Sequence, residues 1–212
     1  MTKHLVIAID GPAASGKGTL ARRLAARFGL AHLDTGSLYR AVGRDVLALG
    51  GDPADPAAAE AAARALDPES LGDARLRDED VGRAASQVAV HPGVRAALFD
   101  FQRRFAARRP GAVLDGRDIG TIICPEAPVT LFVPATVEAR AERRFKELTA
   151  RGEAADLAAL RADLQARDER DAARASAPMK PAADAVRLDT TALDADQVFA
   201  RAVELVEAAS RI

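Results

Sequence analysis

Residues 5–25, LVIAIDGPAASGKGTLARRLA, constrain this chain more than any other stretch. The five apolar residues 5–9 read as a buried strand that passes through Asp10 into a glycine-bearing turn and then into a helix carrying Lys17. A strand, a glycine turn and a helix in that order curl the backbone so that successive N–H groups converge. With the helix N-terminus behind them, those groups form a cradle for phosphate. The expected cradle is Gly11, Pro12, Ala13, Ala14, Ser15, Gly16, Lys17, Gly18 and Thr19. Lys17 adds a mobile positive charge at the β- and γ-phosphates of a nucleotide such as ATP, and Thr19 offers a hydroxyl near a metal ion. Gly18 stands where Ser or Thr is usual, and the hydroxyl comes one residue later.

A chain of 212 residues has room for one domain, or one domain with an insertion, around a substantial core. Its formal net charge of −1 announces neither nucleic acid nor an anionic membrane as a partner. Of 30 basic residues only Lys3, Lys17, Lys146 and Lys180 are lysines, a bias that genome base composition can produce. A lone Cys124 excludes an internal disulfide, and no Cys/His cluster offers a zinc site. No apolar run approaches the ~18 residues of a membrane span, and residues 5–9 are too few for the apolar core of a signal peptide. The expected state is a cytoplasmic monomer.

Further along, residues 31–33 read as a second strand leading to Asp34, and residues 37–49 carry helical spacing that ends at Gly50 and Gly51. Residues 52–80 are rich in Ala, Asp, Pro and Gly; 56–66 form an alanine-rich helix there and the charged residues after Gly72 an exposed loop. Helices resume over 79–88 and 92–108. Three more strands follow at 112–114, 129–133 and 185–188, then a helix over 195–209. Strands separated by helical segments predict an α/β fold, a parallel sheet with helices on both faces, whose ligands gather at the carboxyl ends of the strands. Asp10, Asp34 and Asp115 fall at that edge.

Three constellations there carry chemistry. In LDTGSLYRAV (residues 33–42), Asp34 or Thr35 can cap the following helix, while Arg40 presents a planar fork of donors suited to a second phosphate. In DGRD, Asp115 is placed to hold a magnesium-bound water, Arg117 can neutralise a phosphate and Asp118 is free to contact substrate; a polar turn with Arg117 paired to an adjacent carboxylate is the plainer alternative. Residues 143–174 are heavily charged, and Arg167, Asp171 and Arg174 lie at i, i+4 and i+7 on one helix face. Either they form i,i+4 salt bridges on a solvated helix, or they belong to a lid whose arginines close over a transferring phosphoryl group. His32 and His91 stand single, in packing or pre-proline roles, and Cys124 reads as a small buried residue.

GPAASGKGT, LDTGSLYRAV, AASQVA, VLDGRDIGT and RDERDAARASAP, in that order, resemble the bacterial cytidylate kinase family over nearly the whole chain. GKGT in place of GKS or GKT is itself the form seen in nucleoside-monophosphate kinases. The resemblance implies a P-loop NTPase-type core of five parallel strands, with a nucleoside-monophosphate-binding insertion and a mobile lid. The core would occupy about 1–35, 110–140 and 165–212, the insertion about 36–109 and the lid about 141–164. It implies transfer of the γ-phosphoryl of ATP to CMP or dCMP with Mg2+. It assigns Gly11 to Thr19 to ATP, Thr19 and Asp115 to the metal, and Arg40 and Arg117 to the acceptor phosphate, with Thr35 in the acceptor site. Ser86, Arg95 and Asp118 would face cytosine, Arg167 and Asp171 the ribose, and Arg174 the phosphates, with Lys17, Arg117, Arg143, Arg144 and Arg174 forming the phosphoryl-transfer set. Cytosine's pairing edge, an amine beside two acceptors, suits a carboxylate, an arginine and a serine. Family members often carry extra strands before the AASQV helix, and residues 67–80 show no strand pattern here. Kinases for AMP, UMP, shikimate or dephospho-coenzyme A would leave Ser86, Arg95 and Asp118 unexplained together, and a nucleotide switch of the NKxD type lacks its guanine motif.

Overall fold

Five parallel strands run in the order β2-β3-β1-β4-β5 in a computed structural model that describes residues 4–210. They are β1 (Leu5–Asp10), β2 (Ala31–Asp34), β3 (Gly111–Gly116), β4 (Val129–Phe132) and β5 (Val186–Arg187). The ends of the expected core, residues 1–3 and 211–212, lie outside the described residues. Alternation along β1 and β3 divides the core in two. Val6, Ala8, Ala112 and Leu114 face one layer of helices, while Ile7, Ile9 and Val113 face the other. Strands buried on both faces must be apolar throughout, which is why β1 lacks the polar-apolar alternation of a surface strand.

The layer under Ile7 and Ile9 consists of α1 (Lys17–Phe28) and α8 (Ala195–Ser210). Leu20, Ala21, Leu24 and Ala25 form the buried stripe of α1, and the helix stops at Gly29 (φ +65°), whose N–H donates to the Ala25 carbonyl. The opposite layer contains α2 (Thr35–Ala48), α3 (Pro56–Arg64), α4 (Glu79–Val88) and α5 (Pro92–Ala106). Here α2 and α4 approach so closely that a Cβ on Gly43 would lie 2.9 Å from the Ala84 Cβ. Residues 68–72 and 74–77 form two short 3-10 turns where the sequence suggests loop, and no strand occurs between α3 and α4.

The remaining helices, α6 (Val137–Ala150) and α7 (Leu157–Ala173), pack as a hairpin turned at Arg151 and Gly152. Thr136 and Asp156 cap them by accepting from the Ala139 and Ala158 N–H groups, at 3.3 and 2.8 Å. The expected lid boundary near residue 164 falls inside the unbroken α7.

Two local expectations are corrected. Neither Asp34 nor Thr35 caps α2 with its side chain; Thr35 is itself helical, and its hydroxyl donates to the Asp115 carbonyl at 2.8 Å. Arg174 is not on the α7 face with Arg167 and Asp171, because the helix ends at Ala173 and Arg174 turns into extended backbone (ψ 130°). From β1 the chain crosses to the far edge at β2, returns to β3 beside β1, then continues to β4 on the other side. The carboxyl end of β1 is therefore the switch point where such sheets open a crevice.

Candidate active site

At that switch point, residues 11–19 curl as the motif requires, with Gly16 at φ +91° and Ala14 at φ +58°, a conformation non-glycine residues seldom adopt. Their carbonyls are held by one donor from within the cradle and two from outside it. Pro12 O accepts from Lys17 Nζ at 3.1 Å, Ala13 O from Arg140 Nη1 at 3.1 Å, and Ser15 O from Thr190 Oγ1 at 2.9 Å. The loop opens onto a cleft of about 620 Å³ that is also lined by Arg40, Asp115, Arg117, Arg143, Arg144 and Arg167.

Its cations fall into two groups. Burial pushes Lys17 down to about 7, with Arg117 adding to the fall and Asp115 and Asp34 offsetting it. Burial, then Arg117, takes Arg167 down to about 9, and its Nε has no hydrogen-bond partner among the described residues. Arg40 is likewise lowered by burial and spends one Nη1 bond on Leu76 O at 2.9 Å. These three carry charge that the protein neutralises poorly. Arg143 and Arg144 are tied down instead. Arg143 donates to the Thr190 carbonyl and hydroxyl and, at 3.4 Å, to Ser15 O; Arg144 pairs with Glu79 of α4 and, at 2.8 Å, with Glu147.

The other site residues, of which Arg117 alone lines the cleft, are held by partners within the protein. Arg117 Nε donates to Asp171 Oδ2 at 2.8 Å, so its partner comes from 54 residues further along rather than from an adjacent carboxylate. Asp171 therefore does not bridge to Arg167 at i,i+4; burial would raise its pKa, but Arg117, Arg174 and Arg167 hold it below the usual range. Buried Arg174 donates to the Asp171 carbonyl at 3.2 Å and does not line the cleft. Arg95 and Asp118 form a salt bridge, both nearly buried, with the Tyr39 ring 5.6 Å from the Arg95 guanidinium. Buried Ser86 accepts from Arg170 Nε at 3.1 Å. Ser86, Arg95 and Asp118 line neither the main cleft nor the adjoining cavity of about 390 Å³ between α4 and α7.

The family pattern of cytidylate kinases matches residues 7–208. A cytidylate kinase of Granulibacter bethesdensis is 65% identical over 203 residues, covering 96% of this chain and 97% of the relative. One of Paramagnetospirillum magneticum is 61% identical over 204 residues, with 95% and 97% covered. The chain belongs to the cytidylate kinase family. An uncharacterised protein of Eubacterium ventriosum of known crystal structure shares the fold alone, at a TM-score of 0.53 and 14% identity over 96% of this chain and 99% of that one.

Several residues that organise this site escape a reading by motif. Buried Asp10 accepts from the N–H groups of Ile119 and Gly120 at 2.8 Å each and so anchors the π-helical turn (Ile119–Ile123) after DGRD; burial raises its pKa to about 6 despite those bonds. His32, read from sequence as single, meets Asp115 Oδ1 at 2.8 Å. Arg140 reaches the loop from the first turn of α6 and Thr190 from the segment after β5, and Arg170 reaches Ser86. The available signal was the i, i+3, i+4, i+7 stripe of Arg140, Arg143, Arg144 and Glu147 along α6, charged where a packed helix face would be apolar.

The site also suits Mg2+. Asp115 and Thr19 both line the cleft, and Asp115 Oδ2 is turned toward Gly18, where a Cβ would lie 3.6 Å away. No group of three or more His, Cys, Asp or Glu among the described residues is arranged to hold a metal ion by itself. Few protein oxygens beside a phosphate cradle are what Mg2+ uses, since it keeps water and takes its other ligands from the nucleotide.

Proposed function

We propose that this protein transfers the γ-phosphoryl group of ATP to CMP or dCMP, giving ADP and CDP or dCDP. The observation that carries this reading is a cleft with two sets of cationic groups: Lys17 within the cradle, and Arg40 and Arg117 brought to it from α2 and the turn after β3. One polyphosphate needs the first set; a second, acceptor phosphate explains the other.

In this reading residues 11–19 bind the phosphates of ATP through backbone N–H groups, and Lys17 follows charge onto the transferring group. Arg40 and Arg117 hold the acceptor phosphate with one oxygen facing the γ-phosphorus, with Thr35 shaping the floor beneath them. That oxygen forms the new P–O bond as the bond to the β-phosphate oxygen breaks and ADP leaves. The transition state spreads charge over equatorial oxygens, so fixed guanidinium groups stabilise it most. Arg143, Arg144 and Arg174 supply further cations, the first two from the α6–α7 hairpin acting as the lid. Thr19 and Asp115, the latter through water, would hold Mg2+, which when bound neutralises phosphate charge. Ser86, Arg95 and Asp118 read the cytosine edge, and Arg167 and Asp171 the ribose.

As proposed, the protein acts on free nucleotides in the cytoplasm as a monomer, and no helix among the described residues is long and apolar enough to cross a membrane. A coupled assay of ADP release with CMP, dCMP, UMP and AMP tests the proposal. Efficient use of the two cytidine nucleotides over UMP and AMP is expected; equal use of AMP or UMP would overturn the acceptor assignment.

A further inference from the structure

Arg140, in the first turn of α6, is only 2% exposed and has the largest side chain among the most deeply buried residues. A guanidinium so placed needs partners for its five N–H donors. Nε donates to Ala135 O at 3.0 Å, Nη1 to Ala13 O and Asp168 Oδ1 at 3.1 Å each, and Nη2 to Asp168 Oδ2. Arg140 is thus forked onto a carboxylate of α7 and joined at the same time to a carbonyl of the phosphate loop. Beside it Ala13, Ala141 and Leu164 make a small apolar cluster, so loop, α6 and α7 meet at one point.

An anion cradle works only if its N–H groups face the ligand and its carbonyls do not. Arg140 lines neither cavity, so the Ala13 carbonyl it holds is drawn away from the cleft. The next residue, Ala14, sits at φ +58°, and a non-glycine residue stays there only when its surroundings hold it. We propose that Arg140, clamped by Asp168, is a positioning residue that sets the shape of the phosphate loop for the nucleotide donor. It touches no substrate; it acts through the Ala13 carbonyl. This inference deepens the proposed kinase reading and rests on it for its kinetic test.

The experiment measures KM for ATP and for CMP separately, together with ADP affinity by titration calorimetry, in Arg140→Lys and Asp168→Asn. Thermal unfolding sets a temperature at which each variant is folded. Lysine keeps the charge but cannot make the fork and the loop bond together, so Arg140→Lys is expected to raise the ATP KM and weaken ADP about tenfold, the scale of one lost charge-assisted hydrogen bond. The CMP KM should stay within about twofold, since that substrate does not use the cradle. Asp168→Asn leaves the Ala13 bond in place and should shift the same quantities about threefold, and it carries the test if Arg140→Lys does not fold. A lower melting temperature with unchanged ADP affinity would make Arg140 mere packing and overturn the proposal. So would an equal rise in both KM values. Wild-type protein that binds ADP but leaves CMP unphosphorylated would refute the acceptor assignment alone, and the ADP arm would still decide the role of Arg140.

Discussion

Lys17, Arg40 and Arg167, at the phosphate end of the cleft, all have pKa values pushed down by burial, whereas Arg95 and Arg117 stay above their usual value despite burial, held there by Tyr39 and Asp118 in one case and Asp171 in the other. The first three have given up water with carboxylates nearby but none at hydrogen-bond distance among the described residues. The other two have internal counterions at hydrogen-bond distance. An under-neutralised cation raises the free energy of the empty protein and recovers it when an anion arrives, so this arrangement favours tight, unselective phosphate binding. A pre-formed ion pair gives nothing to a ligand unless the ligand replaces one partner well, and that requirement is a source of selectivity. The same chain therefore trades stability for phosphate affinity at one end and affinity for discrimination at the other.

Lys17→Met strikes the first half of this contrast hardest. Turnover should fall about 10²–10³-fold or more, the usual consequence of losing one preorganised charge at a transition state. The melting temperature should nevertheless rise. With a native pKa near 7 against 10.5 when unfolded, Lys17 binds fewer protons in the folded state between those values, so the stability it contributes increases with pH across that window. Its penalty is complete below pH 7, and the stabilisation by Met should be larger at pH 6 than at pH 9. Calorimetric scans at both values check this, and a drop in melting temperature at pH 6 would mean that Lys17 is not strained.

Arg117→Ala tests the boundary between the two ends. It removes a phosphate-facing cation and also strips Asp171 of its hydrogen-bonded partner. A loss of about 10²-fold in kcat/KM for CMP is expected, with Arg117→Lys restoring only part because the planar fork is gone. Arg40→Ala and Arg174→Ala should act in the same direction. Unchanged kinetics in all three would leave these arginines as structural cations.

Asp118→Ala addresses the paired end alone. If Asp118 accepts from the cytosine amine, wild-type protein should prefer CMP over UMP by roughly 10²-fold, and the substitution should weaken CMP use while altering UMP use much less. Asp118→Asn should narrow the gap mainly by harming CMP. An unchanged ratio of the two catalytic efficiencies in Asp118→Ala would show that the Arg95–Asp118 pair does not read the base.

The smallest effect is a proton. Because Lys17 is about half charged near pH 7 before any phosphate arrives, ADP binding should take up a fraction of a proton just above that pH. Titrations in two buffers of different ionisation enthalpy would register it, and Lys17→Met should abolish it. Equal proton exchange in the wild type and Lys17→Met would show that Lys17 is not its source.

Local chemistry was legible from the chain alone. The apolar run of β1, the glycines of the cradle and the helix carrying Lys17 follow from residue type and short-range periodicity. So do the strand ends carrying Asp10 and Asp115, since each closes a run of apolar residues. Which guanidinium meets which carboxylate was not legible. Arg117 finds Asp171, Arg140 finds Asp168 and Arg144 finds Glu79 across separations of 54, 28 and 65 residues. With 26 arginines available among the 30 basic residues, charge pattern alone cannot choose among so many equivalent donors. His32 reaches Asp115 because β2 and β3 run side by side, a pairing between segments 83 residues apart. The backbone obeys rules of nearest neighbours, so sequence determined the elements and the phosphate cradle. A long flexible side chain takes its partner from whatever packing brings within reach, and only the tertiary structure decided which cations of the cleft were left without a carboxylate at hydrogen-bond distance among the described residues.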